Sequence, residues 1–428
     1  MLQKVLNSIT CGLVAISLAG CTTMPADLVI TGVGIYPAPG EPLQTERTLV
    51  VRGGWISSIR PTQAGDTSIT TKRLLDGKGK TLLHGLWNSH VHFTDPTLAE
   101  APQEIINKML LRYGFTSVVD TGSILEQTLA LRQQISAGRL LGPSIVLANG
   151  SFVPVNGTPS YLPGFRLPEV SNAAAAQPMV NGVLDAGADG IKMFSGSFQS
   201  PTETLYLPPD IVSAIAMAAK QRNSFSMAHP TTVQGLHNAV MGGVNVIAHT
   251  TPPEAEVPQE ILQRMQAQGT ALIPTLALWR YELEKFGAPE EQATFMENAA
   301  VAQLRQLYEA NITILFGTDV GYKTSFDPTA EYRLMAKAGM DWPAIHRSLT
   351  TAPAKLFARF SGQLTPDVEG SVADADLSIA SPASIRQGAP ADLVLIDDDP
   401  AINIGALAQV AATIIRGKVV FEAQPGSD

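Results

Sequence analysis

The sequence predicts an α/β protein in which a (β/α)8 TIM barrel carries a small β-sandwich domain formed by both ends of the chain. Short apolar runs alternate with amphipathic helical patterns across the middle of the sequence, which is typical of a parallel sheet. Both ends instead contain several short strand patterns. The chain has 428 residues, 45% of them hydrophobic, so it can form one large domain and one smaller domain.

The N-terminal segment has the pattern of a targeting sequence. Lys4 supplies a positive charge, and the apolar stretch at residues 9–18 is too short to cross a bilayer comfortably. The following Leu18-Ala19-Gly20-Cys21 resembles a bacterial lipoprotein signal, in which cleavage precedes a cysteine that carries lipid. We therefore expect residues 1–20 to be removed and Cys21 to anchor the protein to the cell envelope. An ordinary signal peptide with an incidental cysteine is the alternative.

Cysteine content and net charge exclude several kinds of site and partner. The chain has two cysteines: Cys11 would be removed with the signal segment, and Cys21 would carry the lipid. The mature chain would therefore have neither a disulfide nor a thiolate metal site. Any metal ion must then be held by nitrogen and oxygen ligands. The net charge of -9 argues against a nucleic-acid partner. In a cell with two membranes, Thr22 after the cysteine favours the outer membrane or the periplasmic side.

Residues 21–80 and 385–428 are predicted to form the small β domain. Gly53-Gly54 is a hairpin signal between two strand patterns, and Gly417 marks a tight turn near the other end. The predicted strands are residues 28–35, 48–52, 55–60, 73–76, 391–396, 411–416 and 418–421, and residues 81–83 continue the β pattern. Because both ends are β-rich and the middle is not, one domain built from both ends is the economical arrangement.

Residues 81–362 are predicted to form the barrel. Strand patterns lie at residues 88–92, 116–120, 144–148, 190–193, 225–229, 244–249, 271–274 and 313–319, and helical patterns at 104–113, 125–137, 173–186, 209–222, 232–241, 259–268 and 295–310. An open doubly wound sheet is the alternative, but no glycine-rich phosphate loop follows the first strand. We expect the loop at 150–169 to lie over the barrel mouth. The polar segment 363–384 is predicted to be an insertion without an assigned role.

Candidate metal ligands follow the predicted barrel strands. His90 and His92 are two residues apart on a strand, so their side chains share a face and could hold one metal ion. Alone, such a pair is more often two unrelated histidines. Four further strand patterns, however, contain or end in Lys192, His229, His249 and Asp319. The active site of a TIM barrel lies at the carboxyl ends of its strands, and buried charges are costly unless they are paired or bind metal.

These motifs together resemble the amidohydrolase superfamily of metal-dependent hydrolases. The motifs are His90-Val91-His92, Gly187-Ala188-Asp189-Gly190-Ile191-Lys192, Ala228-His229, Ala248-His249 and Gly317-Thr318-Asp319, and the resemblance extends from about Leu28 to Val420. Within the superfamily, the chain is most similar to the imidazolonepropionase-related and prolidase-like branch. Asn88 stands where relatives often have aspartate and His84 where many have proline, but neither is a ligand position.

The resemblance implies a centre with two divalent metal ions, for which zinc suits imidazole and oxygen ligands. His90, His92 and Asp319 would hold one ion, and His229 and His249 the second. Lys192 would bridge them as a carbamate; its alternative role is a structural salt bridge. Two such ions lower the pKa of a shared water, and the resulting hydroxide would attack an amide carbonyl. Asp319 would then act as general base and general acid.

The resemblance also suggests the kind of substrate, a small-molecule amide such as a dipeptide or an N-acyl amino acid. Tyr161, Arg166 and Tyr322 lie on predicted loops at the mouth and are candidates for binding a substrate carboxylate or carbonyl; their alternative role is to stabilise the loops. His237 and His346 lie in helical patterns and are predicted to be structural.

Two other functions fit parts of the sequence. The first is a mononuclear cyclic-amide hydrolase or deaminase, in which Lys192 would be dispensable. The second is a non-catalytic lipoprotein that binds a small molecule, although a binding protein has no need of Asp319. The sequence leaves the oligomeric state open, a homo-oligomer included.

Overall fold

A computed structural model describes residues 25–66, 69–360 and 383–424. Cys11, Cys21 and the whole predicted signal segment lie outside the described residues, as does the predicted insertion apart from residues 383–384. Among the helices that are described, none is both long enough and apolar enough to cross a membrane.

The described residues form a strand-rich chain at both ends and alternating strands and helices between them. The strands are β1 (Leu28–Ile35), β2 (Gln44–Arg52), β3 (Trp55–Pro61), β4 (Leu74–Asp76), β5 (Thr81–His84), β6 (Leu86–Val91), β7 (Phe115–Asp120), β8 (Ser144–Phe152), β9 (Gly190–Phe194), β10 (Gly196–Ser200), β11 (Glu203–Tyr206), β12 (Phe225–His229), β13 (Val246–Ala248), β14 (Ala271–Ile273), β15 (Leu393–Ile396), β16 (Val410–Ile415) and β17 (Lys418–Glu422). The helices are α1 (Pro102–Met109), α2 (Leu125–Ser136), α3 (Ala173–Asp185), α4 (Pro209–Gln221), α5 (Val233–Met241), α6 (Gln259–Gln268), α7 (Ala277–Lys285), α8 (Glu290–Glu309), α9 (Thr329–Lys337), α10 (Trp342–Leu349) and α11 (Thr351–Phe357).

The middle of the chain forms the predicted barrel. Seven parallel strands pair in the order β6-β7-β8-β9-β12-β13-β14, and helices connect most of them. Every residue of β6, β7 and β9 is buried, as expected for strands that have side chains in the barrel on one face and helices on the other. The barrel fold is therefore confirmed.

The eighth position of the barrel is occupied by residues 313–320, which do not form a regular strand. On one side Leu315 donates a backbone hydrogen bond to Leu272 of β14, at 2.8 Å. On the other side Ser89 of β6 donates to Phe316, also at 2.8 Å. A Cβ added at Gly317 would lie 2.9 Å from the Cβ of His90, so only glycine permits this close approach to β6.

The two ends of the chain form one separate sheet, which confirms a terminal β domain, but the predicted boundary at residues 80–81 was wrong because β5 belongs to this sheet and not to the barrel. Its strands follow the order β17-β16-β15-β5-β1-β2-β3, and β4 pairs with β1. Trp55, at the start of the edge strand β3, forms an antiparallel bridge with Pro390, just before β15. Because strands far apart in the order come together in this way, the sheet curls around an apolar core of its own.

Gly85 alone separates β5 of the terminal sheet from β6, the first barrel strand. The backbone N–H of Gly85 donates to the carbonyl of Asp392, at 2.8 Å. The Thr413 hydroxyl of β16 donates to the carbonyl of Leu111 beside the barrel, at 2.6 Å. These bonds fix the first barrel strand against the terminal domain.

Several local predictions were wrong or incomplete. Helix α7 and the β10–β11 hairpin were not predicted. Helix α8 begins at Glu290, five residues before the predicted start at residue 295. The predicted helix at 104–113 instead ends at Met109 and is followed by a short 3-10 turn.

His346 of α10 packs where the barrel meets the terminal domain. Its ring stacks on Trp342 with centroids 4.7 Å apart, and Tyr36, just after β1, contacts Trp342 edge-on at 5.3 Å. His346 is buried, with an exposed fraction of 1%. This burial lowers the pKa of His346 to about 3.

Acidification should destabilise the fold through His346. The pKa of its imidazole is 6.5 in a free reference state but about 3 in the folded protein, so the unfolded chain binds more protons between these values. The stabilisation is complete above pH 6.5 and is lost as the pH falls towards 3. One proton contributes up to about 1.4 kcal/mol per pH unit to this loss. The substitution His346→Phe, which keeps a ring against Trp342, should flatten the dependence in urea unfolding series at falling pH. Equal slopes for both proteins would contradict this account.

Candidate metal centre

The two histidines of β6 and its extension converge on Asp319. The Nε2 atoms of His90 and His92 lie 3.3 Å and 3.0 Å from Oδ1 of Asp319. A backbone hydrogen bond from Asp319 to the carbonyl of His90, at 2.9 Å, holds the two segments in this register. Both rings thus lie on one side of the strand, and His90 is more deeply buried than His92.

His229 and His249 extend this cluster across the barrel. The ring centroids of His90 and His249 are 4.6 Å apart, as are those of His229 and His249. His90, His249 and Asp319 each offer a ligand atom within 4.8 Å of the other two. The sequence-predicted partition, with His249 on a different ion from His90 and Asp319, stays a prediction.

Thr275 determines which nitrogen of His249 faces the cluster. The Thr275 hydroxyl donates its single proton to the carbonyl of Pro274, at 2.9 Å. With its proton on Pro274, this oxygen can accept a hydrogen bond from Nδ1 of His249, which lies 2.6 Å away. This contact leaves the Nε2 lone pair of His249 available for a metal ion.

Lys192 lies in the middle of β9 and is almost completely buried, with an exposed fraction of 2%. Burial lowers the pKa of its amine to about 8, although the nearby carboxylates of Asp319 and Asp120 act in the opposite direction. A buried lysine of this kind has an appreciable neutral fraction at neutral pH.

The cluster has the properties of a cation site. Nδ1 of His90 is buried without a hydrogen-bond partner among the described residues, and the buried Oδ1 of Asp319 faces the Nε2 atoms of His90 and His92. Burial lowers the pKa values of His90 and His249, so these rings are neutral near pH 7. Burial opposes ionisation of Asp319, but His90 and His92 hold its pKa well below the ordinary value. Neutral imidazoles, each with one lone-pair nitrogen, and an ionised carboxylate that converge in this way fit a divalent metal ion.

The backbone at the carboxyl ends of the barrel strands adopts an unusual conformation. Left-handed φ angles occur at Thr231 (60°), His249 (70°), Thr275 (45°) and Asp319 (61°). Such angles cost non-glycine residues of the order of 1–3 kcal/mol each and persist only where the surrounding structure imposes them. Two of the four residues, His249 and Asp319, are candidate ligands, so the direction of their side chains comes at a cost in folding stability.

Residues 81–375 match the family model described as the amidohydrolase family, and they make up more than half of the chain. The chain belongs to the amidohydrolase family. It is therefore a hydrolase that acts on carbon–nitrogen bonds.

Several solved structures share the fold. The structure of a Xaa-Pro dipeptidase with bound methionine has a TM-score of 0.77 and 23% identity, and the match covers 92% of this chain and 100% of the other. A putative prolidase from Bifidobacterium longum has a TM-score of 0.73 and 22% identity over 95% and 97% of the two chains. A prolidase complexed with N-methylphosphonate-L-proline has a TM-score of 0.72 and 23% identity over 92% and 100%. No curated protein matches the sequence.

Asn88 connects the two segments of this amidohydrolase that carry His90 and Asp319. Its side-chain amide donates to the Thr318 hydroxyl at 2.7 Å, and its side-chain oxygen accepts from the backbone N–H of Thr318 at 3.2 Å. A carboxylate at this position could accept but not donate. The departure from relatives noted in the sequence thus has a structural role, because asparagine uses both capacities.

Asp120, at the end of β7, was not predicted to belong to the site. It is buried and accepts hydrogen bonds of 2.7 Å from the hydroxyls of both Ser123 and Thr128. The Asp120 carboxylate interacts electrostatically with both His92 and Lys192. The available signal was its place at the carboxyl end of a predicted barrel strand, the same criterion that identified the histidines.

The three predicted substrate contacts separate into two groups. Tyr161 and Tyr322 lie beside each other, with ring centroids 5.9 Å apart, and burial raises the pKa of both. Both interact electrostatically with Asp319 and are therefore near the centre. Arg166 instead has an 82% exposed side chain that pairs with Glu169 at 3.2 Å. The structure thus brings the two tyrosines, but not Arg166, to the centre.

Replacing Thr275 with valine should weaken metal binding. Valine keeps the shape of the side chain but removes the acceptor that fixes the tautomer and orientation of His249, and losses of this kind cost about 10- to 100-fold in metal affinity. Chelator competition with purified protein would measure the change. Thr270→Val is the matched control, because that buried hydroxyl donates instead to the carbonyl of Val244, at 3.1 Å. Equal affinities for Thr275→Val and Thr270→Val would refute the assigned role.

Proposed function

We propose that the chain is a two-metal hydrolase that cleaves the amide bond of a dipeptide or an N-acyl amino acid and is anchored to the cell envelope through lipid on Cys21. The observation that carries the catalytic part is the convergence of His90 and His92 on Oδ1 of Asp319, at 3.3 Å and 3.0 Å. The solved structures described as a Xaa-Pro dipeptidase and prolidases support a dipeptide as the substrate.

The proposed centre holds two divalent ions, and zinc suits its ligands. His90, His92 and Asp319 would hold one ion, and His229 and His249 the other. Lys192, as a carbamate, would join them; its pKa of about 8 supports this, because only a neutral amine reacts with carbon dioxide. When bound, such ions polarise an amide carbonyl and lower the pKa of water.

Asp319 is the group of the chain that moves the proton. Its carboxylate stays ionised near neutral pH because His90 and His92 offset the effect of its burial, so it can accept a proton when water is activated. Its buried Oδ1 would then deliver that proton to the nitrogen of the leaving amine. The exposed fraction of Asp319 is only 4%, and exclusion of water strengthens these electrostatic effects.

Metal content and hydrolysis, measured together, test this proposal. Mature protein purified without chelators should contain about two equivalents of metal and hydrolyse members of a panel of dipeptides and N-acyl amino acids. Lys192→Ala should lower both metal content and activity. Asp319→Asn should reduce hydrolysis by a factor of about 100 or more, because it removes the proton-transfer group. Lys323→Ala is a control at another buried lysine near Asp319 and should keep both ions.

Other outcomes would favour the alternatives. About one equivalent of metal, indifferent to Lys192→Ala, would indicate a mononuclear cyclic-amide hydrolase or deaminase. If wild type and Asp319→Asn bind substrate-like amides with equal affinity and neither form hydrolyses them, the protein is a binding lipoprotein.

The lipid anchor is tested separately in cells. Full-length protein should partition with the membrane fraction and incorporate labelled fatty acid, because a diacylated cysteine adds about 0.8 kcal/mol of membrane affinity for each buried methylene. Cys21→Ala should lose the label and move to the soluble fraction. Cys11→Ala is the matched control and should behave as wild type. Membrane association that survives Cys21→Ala would exclude anchoring through this residue.

A further inference from the structure

Glu282, which the proposed mechanism does not use, has a carboxylate oxygen without a hydrogen-bond partner near the mouth of the barrel. It lies on α7, the helix that begins four residues after β14 ends and thus follows the carboxyl end of that strand. The side chain is only 20% exposed, and its Oε1 atom is buried without a hydrogen-bond partner among the described residues. A buried carboxylate oxygen in this state is unfavourable unless a donor from another molecule reaches it.

Two tyrosines connect the Glu282 carboxylate with Asp319. The hydroxyl of Tyr322, three residues after Asp319, interacts with the Glu282 carboxylate. Tyr161 packs against Tyr322 at 5.9 Å and interacts electrostatically with both Asp319 and Glu282. The aromatic pair therefore lies beside both Asp319 and Glu282.

Lys285 does not satisfy Oε1 of Glu282. Its Nζ is 3.9 Å from that atom, beyond hydrogen-bond distance, and its side chain is 44% exposed. Nζ instead lies 4.7 Å from the centroid of the Tyr322 ring. This contact also shows that the aromatic face of Tyr322 accommodates an ammonium group.

The helix that carries Glu282 is fixed at its N-terminus and along its length. The Glu331 carboxylate of α9 accepts hydrogen bonds from the backbone N–H groups of Leu276 and Ala277, both at 2.8 Å. Arg280 binds Glu297 of α8 at 2.9 Å and Glu290 at 2.8 Å. Glu282 is therefore held in place before any ligand arrives, which lowers the entropic cost of binding.

We propose that Glu282 binds an alkylammonium group of the substrate and so selects amides that carry a cationic nitrogen over neutral analogues. A cation supplies the donor that Oε1 lacks, and the faces of Tyr161 and Tyr322 add a favourable environment for it. Burial raises the pKa of Glu282, although the Tyr322 hydroxyl and Lys285 act in the opposite direction. This inference rests on the proposed amide hydrolysis and names the substrate class within it.

The ammonium group could be the α-amine of an unblocked dipeptide or the side chain of a lysine residue. Two pairs of substrates separate these sources: a dipeptide against its N-acetylated form, and a lysine-containing dipeptide against its norleucine counterpart. We expect the metal-loaded wild-type enzyme to prefer the cationic member of one pair in kcat/KM by roughly 10- to 100-fold, the size of one hydrogen bond to a charged group. Glu282→Gln should abolish that preference while it leaves hydrolysis of the neutral member within a few-fold. Glu284→Gln, on the same helix but 57% exposed, should retain the preference.

The inference would be overturned if the wild-type enzyme showed no preference in either pair. It would also be overturned if Glu282→Gln reduced kcat/KM equally for all four substrates. Both results leave the proposed hydrolase intact. If no amide is hydrolysed, the proposed function fails, and calorimetry with the same four compounds then tests Glu282 by binding. If Glu282→Gln loses affinity only for the cationic compounds, the role of Glu282 is supported. If its affinity for cationic and neutral compounds changes equally, that role is overturned.

Discussion

The hydrogen bonds between β6 and residues 313–320 are the constraint on which the centre depends. Asp319 donates its backbone N–H to the carbonyl of His90, and His92 donates to the carbonyl of Val320 at 2.8 Å. These bonds close the barrel and at the same time fix the distance between the Asp319 carboxylate and the two imidazoles. The side chain of Asn88 adds a second link across the same gap. The same hydrogen bonds therefore close the barrel and bring the candidate ligands together.

Much of this arrangement can be predicted from the sequence because it depends on local periodicity. The strand at residues 225–229 and the helix at 259–268 have the predicted bounds, since apolar spacing alone specifies them. The histidines and Lys192 could be named because parallel barrel strands deliver their carboxyl ends to one face. The eighth strand was predicted at residues 313–319, but the left-handed backbone of Asp319 and the close approach at Gly317 replace a regular ladder there.

The features that the sequence did not predict depend on contacts between distant residues. No side chain of its own caps α7; the Glu331 carboxylate, more than fifty residues later, stabilises its first turn. The tautomer of His249 depends on Thr275, and the role of Asn88 depends on Thr318. Arg166 was expected at the mouth because of its loop, yet Glu169, three residues away, holds it in solvent. None of these contacts produces a periodic pattern. The metal ligands therefore lie on predictable strands, whereas Glu282 lies on an unpredicted helix.

The strand order of the terminal sheet has a consequence for how the protein is made. Strand β5, which leads through Gly85 directly to the strand of His90, pairs with β15, and β15 in turn pairs with β16. A ribosome therefore releases every candidate ligand before it has synthesised β15, the second neighbour of β5. Contacts between such distant parts of a chain form late in folding, because a long loop must first be closed. The newly made chain thus carries all of its candidate ligands for a period in which β5 is paired with β1 but still lacks β15.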